Sequence, residues 1–281
     1  MQHGSESMVD AHGKVGVERR TGSGSVRSID CVAEEVPVAL VYGGVSHAVM
    51  LATPQDLDDF GLGFTLSEGI VKSPREVYDL DVVVQDNGIE VRMEIAAERM
   101  EALKAMRRTL AGRTGCGLCG VDSLDALASR LQHPATASAR CGGAATSGTL
   151  AGSALQRAVS GLQSMQHLFH LTGAVHAAAW CDGDGQVLCV REDVGRHNAL
   201  DKLIGARRGT GQEGSGGFLL MTSRASYEIV QKAATVGIDV VAAVSAPTGM
   251  AVRMAEAAGV TLVGFARGER YSVYSHPGRL H

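Results

Sequence analysis

The sequence predicts an α/β protein whose second half carries a layered sheet. Three observations predict it. From about residue 173 onward, short apolar runs alternate with helical stretches, the pattern of strands linked by helices. Aromatics make up only 4% of the 281 residues while glycines number 36, which suits helices packed on a sheet through small side chains. The apolar fraction of 45% is ordinary for a globular chain and enough to bury a core.

Taken in order, residues 1–25 are polar, hold Gly and Ser, and show no apolar period, so they read as a disordered tail. Order is expected from 26–32. Strands are expected at 37–41 and 47–52, with Gly43-Gly44 as the turn between them. Thr53 is placed to cap a helix with Pro54 at its first position, and Leu57, Phe60, Leu62, Phe64 and Leu66 supply its apolar contacts. Glu68-Gly69 stops that helix. Residues 82–84 and 89–95 flank Asp86-Asn87-Gly88 and read as a hairpin, because Asn-Gly favours the tight turn and the second arm alternates. A helix is expected over 97–110. Residues 133–153, rich in Ala, Gly, Ser and Thr, read as a linker, and 155–171 as one long helix. Strands at 177–180, 187–190, 218–222, 240–245 and 260–265 then alternate with helices at 195–206, 225–236 and 249–258. Such alternation implies a largely parallel sheet. Residues 209–217 read as a surface loop.

Composition narrows the function classes. The net charge of −4 argues against a general nucleic-acid binder. No apolar run reaches the roughly 18 residues of a membrane span. The chain does not open on a basic-then-apolar secretory signal. Six cysteines in a chain this long are too sparse for a disulfide scaffold. A reducing, cytoplasmic setting is the expectation.

Five segments carry chemistry. Cys116 and Cys119 form a C-x-x-C pair within Gly112-Arg113-Thr114-Gly115-Cys116-Gly117-Leu118-Cys119-Gly120. Two thiols this close can share a redox state, hold a metal or carry sulfur. A zinc site needs about four ligands, and one C-x-x-C supplies two. A thioredoxin-like pair usually opens a helix, which the glycines do not favour; a sulfur carrier needs a nucleophilic, accessible Cys, which they do. Arg191-Glu192-Asp193-Val194-Gly195-Arg196-His197-Asn198-Ala199-Leu200-Asp201-Lys202 places Asp193, His197 and Asp201 at i, i+4 spacing. Carboxylates flanking an imidazole can fix its tautomer; the same run equally fits a solvated helix capped by Asp193. His176 sits among small residues at the mouth of a strand, as a packing residue or a ligand contact. Ser223 and Arg224, at a strand-to-helix turn, fit either a phosphate cradle or simple capping. Phe265-Ala266-Arg267-Gly268-Glu269-Arg270 joins two arginines, a glycine and an aromatic that can hold a phosphorylated base.

Together these segments, with Thr172-Gly173-Ala174-Val175-His176-Ala177-Ala178, Ser223-Arg224-Ala225-Ser226-Tyr227-Glu228 and Tyr274-Ser275-His276-Pro277, resemble the formate dehydrogenase accessory sulfurtransferases, FdhD. The likeness runs from about Val26 to Leu280. It implies a sulfur carrier that takes persulfide sulfur from a cysteine desulfurase. The sulfur passes to the molybdenum bis(molybdopterin guanine dinucleotide) cofactor, bound as substrate, before that cofactor enters the formate dehydrogenase catalytic subunit. The resemblance maps the persulfide onto Cys116 and a second thiol onto Cys119. It maps cofactor binding onto Phe265, Ala266, Arg267, Gly268, Glu269 and Arg270; His176, His197, Ser223 and Arg224 are expected to join them. Guanine nucleotides are expected to mimic part of the cofactor, and no resident metal is expected. The implied layout is a small N-terminal α/β domain (26–111), a mobile C-x-x-C loop and linker (112–153), and a cytidine-deaminase-like three-layer αβα domain (154–281), paired as a homodimer. Two other readings stand beside it: a chaperone that shields the cofactor without moving sulfur, and a zinc deaminase-like hydrolase. The last lacks its residues, since Ala177-Ala178 follow His176 where H-x-E is needed and no Pro precedes Cys116.

Overall fold

A computed structural model describes residues 9–109, 149–209 and 216–281. The first element departs from expectation. Strands β1 (His12–Thr21) and β2 (Gly24–Ala33) pair antiparallel over their full length, so residues 12–25 are an ordered hairpin rather than a tail. Only Val15 and Val17 alternate on β1, a signal too weak to register; the ladder with β2 supplies the order instead.

Strands β3 (Val36–Tyr42), β4 (Val45–Ala52), β5 (Val77–Gln85) and β6 (Gly88–Ile95) form a four-stranded sheet in the order β4-β3-β6-β5. The two expected turns are present. Gly43 and Gly44 have φ of 51° and 76°, the left-handed pair that a two-residue hairpin turn requires. Helix α1 (Leu57–Ser67) packs Phe60, Phe64 and Leu66 into the core beside Val38, Leu40, Val91 and Met93. It begins later than Thr53 would dictate, after Asp56 in a left-handed conformation at φ 53°. Thr53 is committed elsewhere: its Oγ1 accepts from the Val194 amide. Helix α2 (Ala97–Thr109) follows the sheet.

The larger sheet contains β7 (His176–Asp182), β8 (Val187–Asp193), β9 (Gly217–Met221), β10 (Val240–Ala243), β11 (Thr261–Arg267) and β12 (Arg270–Ser275) in the order β12-β11-β10-β9-β7-β8. Only the pairs β9–β10 and β10–β11 are parallel, so the sheet is mixed rather than largely parallel. Short turns explain the difference. β7 to β8 and β11 to β12 leave too few residues for a crossover, and a tight turn can only reverse the chain.

Period-two alternation divides the core. Ala177, Ala179, Cys181, Phe218 and Leu220 face helix α3 (Gly152–Met165), which buries Leu155, Ala158 and Leu162. Ala178, Trp180, Leu219 and Met221 join the opposite core with helices α5 (Arg196–Gly209), α6 (Tyr227–Thr235) and α7 (Gly249–Ala258). This is a three-layer αβα arrangement. The expected helix 155–171 is two helices, α3 and α4 (His167–Thr172), separated by Gln166 with a non-helical ψ of 74°.

Helices α1 and α5 join the two sheets. A Cβ on Gly63 would stand 1.7 Å from the Asp201 carbonyl oxygen, and one on Gly205 would stand 1.9 Å from that of Asp59. The backbones therefore meet without side chains between them. No helix among the described residues is long and apolar enough to cross a membrane.

Candidate functional site

Strand direction gathers the polar segments. β7 begins at His176 opposite Asp193, the last residue of β8. β9 is antiparallel to β7 and parallel to β10, and β10 is parallel to β11, so all three end at this same edge. Helices α5, α6 and α7 each start just beyond a strand that ends there. Three helix N-termini, with their unsatisfied amides and positive dipole ends, therefore open on one edge of the sheet.

Asp193 is fully buried and is the hub of this edge. Its Oδ1 accepts from the Gly195 amide at 2.7 Å and from Asn198 Nδ2 at 3.0 Å. Its Oδ2 accepts from the Thr53 amide at 3.0 Å and lies 2.7 Å from Lys202 Nζ. Lys202 also donates to the Thr53 carbonyl, and Asn198 to that of Leu51. The N-terminal sheet is thus fastened to the start of α5. Burial pushes the Lys202 ammonium below its usual pKa, against the opposing pull of Asp193.

The expected carboxylate–imidazole–carboxylate row does not form. Asp201 turns to Lys232, whose Nζ lies 3.0 Å from both its oxygens, 2.9 Å from Ser67 Oγ and 2.8 Å from Glu68 Oε1. Asp193 turns to Lys202. Spacing alone could not show that lysines would claim both carboxylates, Lys202 of the following helix for Asp193 and Lys232 of α6 for Asp201. The capped, solvated alternative fails too, since Asp193 is buried.

His197 instead meets α6. Its Nε2 lies 2.8 Å from Glu228 Oε2 and 3.3 Å from Ser226 Oγ. The hydrogen bond from His197 holds the Glu228 carboxyl below its ordinary pKa, helped by the charges of His197, Lys232 and Arg196. His176 is half-buried. Burial pushes its imidazole pKa down, Arg196 and His197 push the same way, and Asp193 opposes them. The pairing of Glu228 with His197 carries no local sequence signal, because the two lie 31 positions apart on different helices.

The turn before α6 is pinned from both sides. Thr222 Oγ1 accepts from the Ala177 amide at 2.8 Å, and the Thr248 amide donates to the Ala225 carbonyl at 3.0 Å. Ser223 is buried and donates to the Arg224 carbonyl at 3.0 Å, while Arg224 is exposed. The segment 265–270 is the β11–β12 hairpin at the same edge. The Phe265 amide donates to Ser245 O and Arg267 Nε to Val244 O. Phe265 has φ 53° and remains 43% exposed, an aromatic held outward on a left-handed backbone. Ala266 is buried; Arg267, Gly268, Glu269 and Arg270 are exposed, with Gly268 at φ 52° in the turn. The edge therefore brings together His176, Arg196, His197, Ser223, Arg224 and the hairpin. Cys116 and Cys119 lie outside the described residues. No group of three metal-ligating side chains occurs among the described residues.

Residues 33–281 match the model of the FdhD/NarQ family. A protein of Cupriavidus necator named "Sulfur carrier protein FdhD" is 53% identical over 269 residues, covering 96% of this chain and 90% of that protein. One of Bordetella petrii with the same name is 48% identical over 257 residues, covering 92% of this chain and 89% of its own length. Among solved structures, a putative formate dehydrogenase accessory protein from Desulfotalea psychrophila superposes with a TM-score of 0.70 at 21% identity. That match covers 96% of this chain and 100% of the other, and shows a shared fold.

Proposed function

This chain belongs to the FdhD/NarQ family, and we propose that it is a sulfur carrier in formate dehydrogenase maturation. The observation that carries the reading is the 53% identity, over 96% of the chain, to a protein named as a sulfur carrier. The C-x-x-C pair at Cys116 and Cys119 supplies the chemistry. In loading, the Cys116 thiolate attacks the sulfane sulfur of a cysteine desulfurase persulfide. A new S–S bond forms, the old one breaks, and the donor's Cys thiolate leaves; no outside oxidant is needed.

Release as sulfide requires two electrons. The Cys119 thiolate supplies them by attacking Cys116 Sγ and expelling HS⁻, leaving a Cys116–Cys119 disulfide for a cellular dithiol to reduce. The acceptor is the molybdenum bis(molybdopterin guanine dinucleotide) cofactor, as substrate, before it enters the formate dehydrogenase catalytic subunit. The edge that holds three helix N-termini, Arg224, Arg267, Arg270 and exposed Phe265 supports the binding of an anionic nucleotide. The test is mass spectrometry after incubation with a cysteine desulfurase and cysteine. Wild type should gain one sulfur atom on Cys116. A chain that gains none, yet still binds the cofactor, is a chaperone and not a carrier.

A further inference from the structure

Helix α4 has no cap of its own. Its N-cap, Gln166, makes no side-chain capping bond, and its six residues are too few for a helix to persist alone. Leu168, in its first turn, is buried. The missing acceptors come from another element. Glu192, the last residue but one of β8, is buried; its Oε2 accepts from the Leu168 amide at 2.8 Å and its Oε1 from the Phe169 amide at 2.9 Å. No lysine or arginine among the described residues pairs with this carboxylate. A buried charge needs compensation, and here the amides and the positive dipole end of α4 supply it. Carboxylate and helix therefore hold each other in place.

The same residue also meets the far end of the segment. Glu192 lies opposite Ala177 in the β7–β8 ladder, and its carbonyl accepts from Gln55 Nε2 at 3.5 Å. Residues 168–177 are thus held at both ends by one residue. Between those ends the chain is tied to itself. Thr172 Oγ1 donates to the Leu168 carbonyl at 2.8 Å, and the Gly173 amide donates to that of Phe169 at 2.7 Å. The Ala174 amide donates to Thr172 Oγ1 at 3.3 Å. Gly173 ends α4 at φ 68°, and His176 opens β7 three residues later. The path by which His176 reaches the sheet edge is therefore set by α4, and α4 is set by Glu192.

From this arrangement we infer that Glu192 is a positioning residue, which caps α4, closes the segment 168–177 and so fixes His176 at the sheet edge. It acts through His176 and not on a ligand, since backbone amides occupy both of its carboxylate oxygens. Its effect on ligand binding rests on the function proposed above; its hold on His176 does not.

Glu192→Gln tests it on the full chain. The substitution keeps the size and turns one acceptor into an NH₂ group that faces an amide donor. NMR reads the position of His176, its ring signals assigned by their loss in His176→Gln, and calorimetry with GDP reads the site. In wild type, burial holds the His176 imidazole below its ordinary pKa. In Glu192→Gln, His176 should titrate closer to about 6.5, because its surroundings loosen. Loss of the Glu192 charge alone would move the titration the other way, so the sign separates the two effects. The Leu168 and Phe169 amides should exchange with solvent roughly tenfold faster, and GDP should bind roughly tenfold more weakly. Glu192→Asp keeps the charge on a side chain one methylene shorter and should fall between the two. A purely stabilising residue would lower the melting temperature and leave the His176 titration unmoved in the folded variant, which overturns the inference. If Glu192→Gln fails to fold, Glu192→Asp is judged by the same titration. A wild type that binds no GDP removes the ligand reading proposed above, and the His176 titration then still decides for or against Glu192.

Discussion

Lys202 Nζ lies 2.7 Å from Asp193 Oδ2, with neither side chain exposed to solvent. The pair joins α5 to the residue that ends β8, and through the Thr53 backbone it holds the N-terminal sheet. Removing one partner strands the other charge in the interior. Lys202→Met and Asp193→Leu should each cost about 3–5 kcal/mol, the penalty of an uncompensated buried charge. The double variant should cost less than the two losses added. Chemical denaturation of all three gives the coupling, and simple additivity would show that the pair contributes nothing as a pair.

The contact between α1 and α5 depends on glycine. Gly63→Ala and Gly205→Ala place a Cβ within 2 Å of backbone carbonyls, at 1.7 and 1.9 Å, and backbone cannot rotate away. Each should destabilise by 1–3 kcal/mol or more, roughly the cost of overpacking. Gly161→Ala is the control. It lies within α3 and its Cβ would meet only Val187 Cγ2 at 3.4 Å, so a gain of roughly 0.5–1 kcal/mol from helix propensity is expected. Thermal melts that order the three variants otherwise would deny the glycines this role.

His176 makes stability depend on pH. Its folded pKa is depressed, by burial first and by Arg196 and His197 next. The unfolded value is about 6.5. Between the folded value and about 6.5 the unfolded chain holds a proton that the folded chain does not, so stability rises with pH across that window. Above it the contribution is flat. Melting temperature should therefore fall as pH drops from about 7 towards 5, and fall less in His176→Gln. Parallel curves for the two proteins would mean that His176 does not report on this window.

Much of this fold was legible because its signals are local. Asn87-Gly88, Gly43-Gly44 and the apolar runs of β7 to β11 act over a few residues, and the structure has them where the sequence reading put them. What was not legible is long-range. Thr53 looks like a helix cap, yet its amide and hydroxyl serve Asp193 and Val194, 140 and 141 positions away. Asp201 shares spacing with His197, yet a lysine 31 positions on claims it. Arg196 and the turn that holds Ser226 stand out by motif, whereas the pairings of His197 with Ser226 and Glu228 arise only when the starts of α5 and α6 come side by side.

The two cysteines should separate by step. Cys116→Ala should gain no sulfur from a cysteine desulfurase and should abolish formate dehydrogenase maturation. Cys119→Ala should still load Cys116 and fail afterwards, because the thiol that expels sulfide is gone. Mass spectrometry reads the first step and client activity the second. A Cys119→Ala protein that supports full maturation would assign release to another reductant.

Phe265 allows binding to be separated from stability. At φ 53° a phenylalanine pays for a left-handed backbone, roughly 1–3 kcal/mol for a strained residue. Its ring is 43% exposed, so little of it is core. Strain of this kind persists when the surroundings fix it, and here the Phe265 amide is held by Ser245 O while Gly264 lies against Pro247. Phe265→Gly should relieve the strain and leave the melting temperature equal or higher, since glycine adopts this conformation freely. Phe265→Ala keeps the strain and should gain nothing. If the ring stacks on a guanine base, both variants should weaken GDP binding by a similar factor, and Arg270→Ala should weaken it further. ADP should bind less well than GDP to wild type. Equal binding of the two nucleotides, or GDP affinity unchanged without the ring, would leave Phe265 strained with no ligand to account for it.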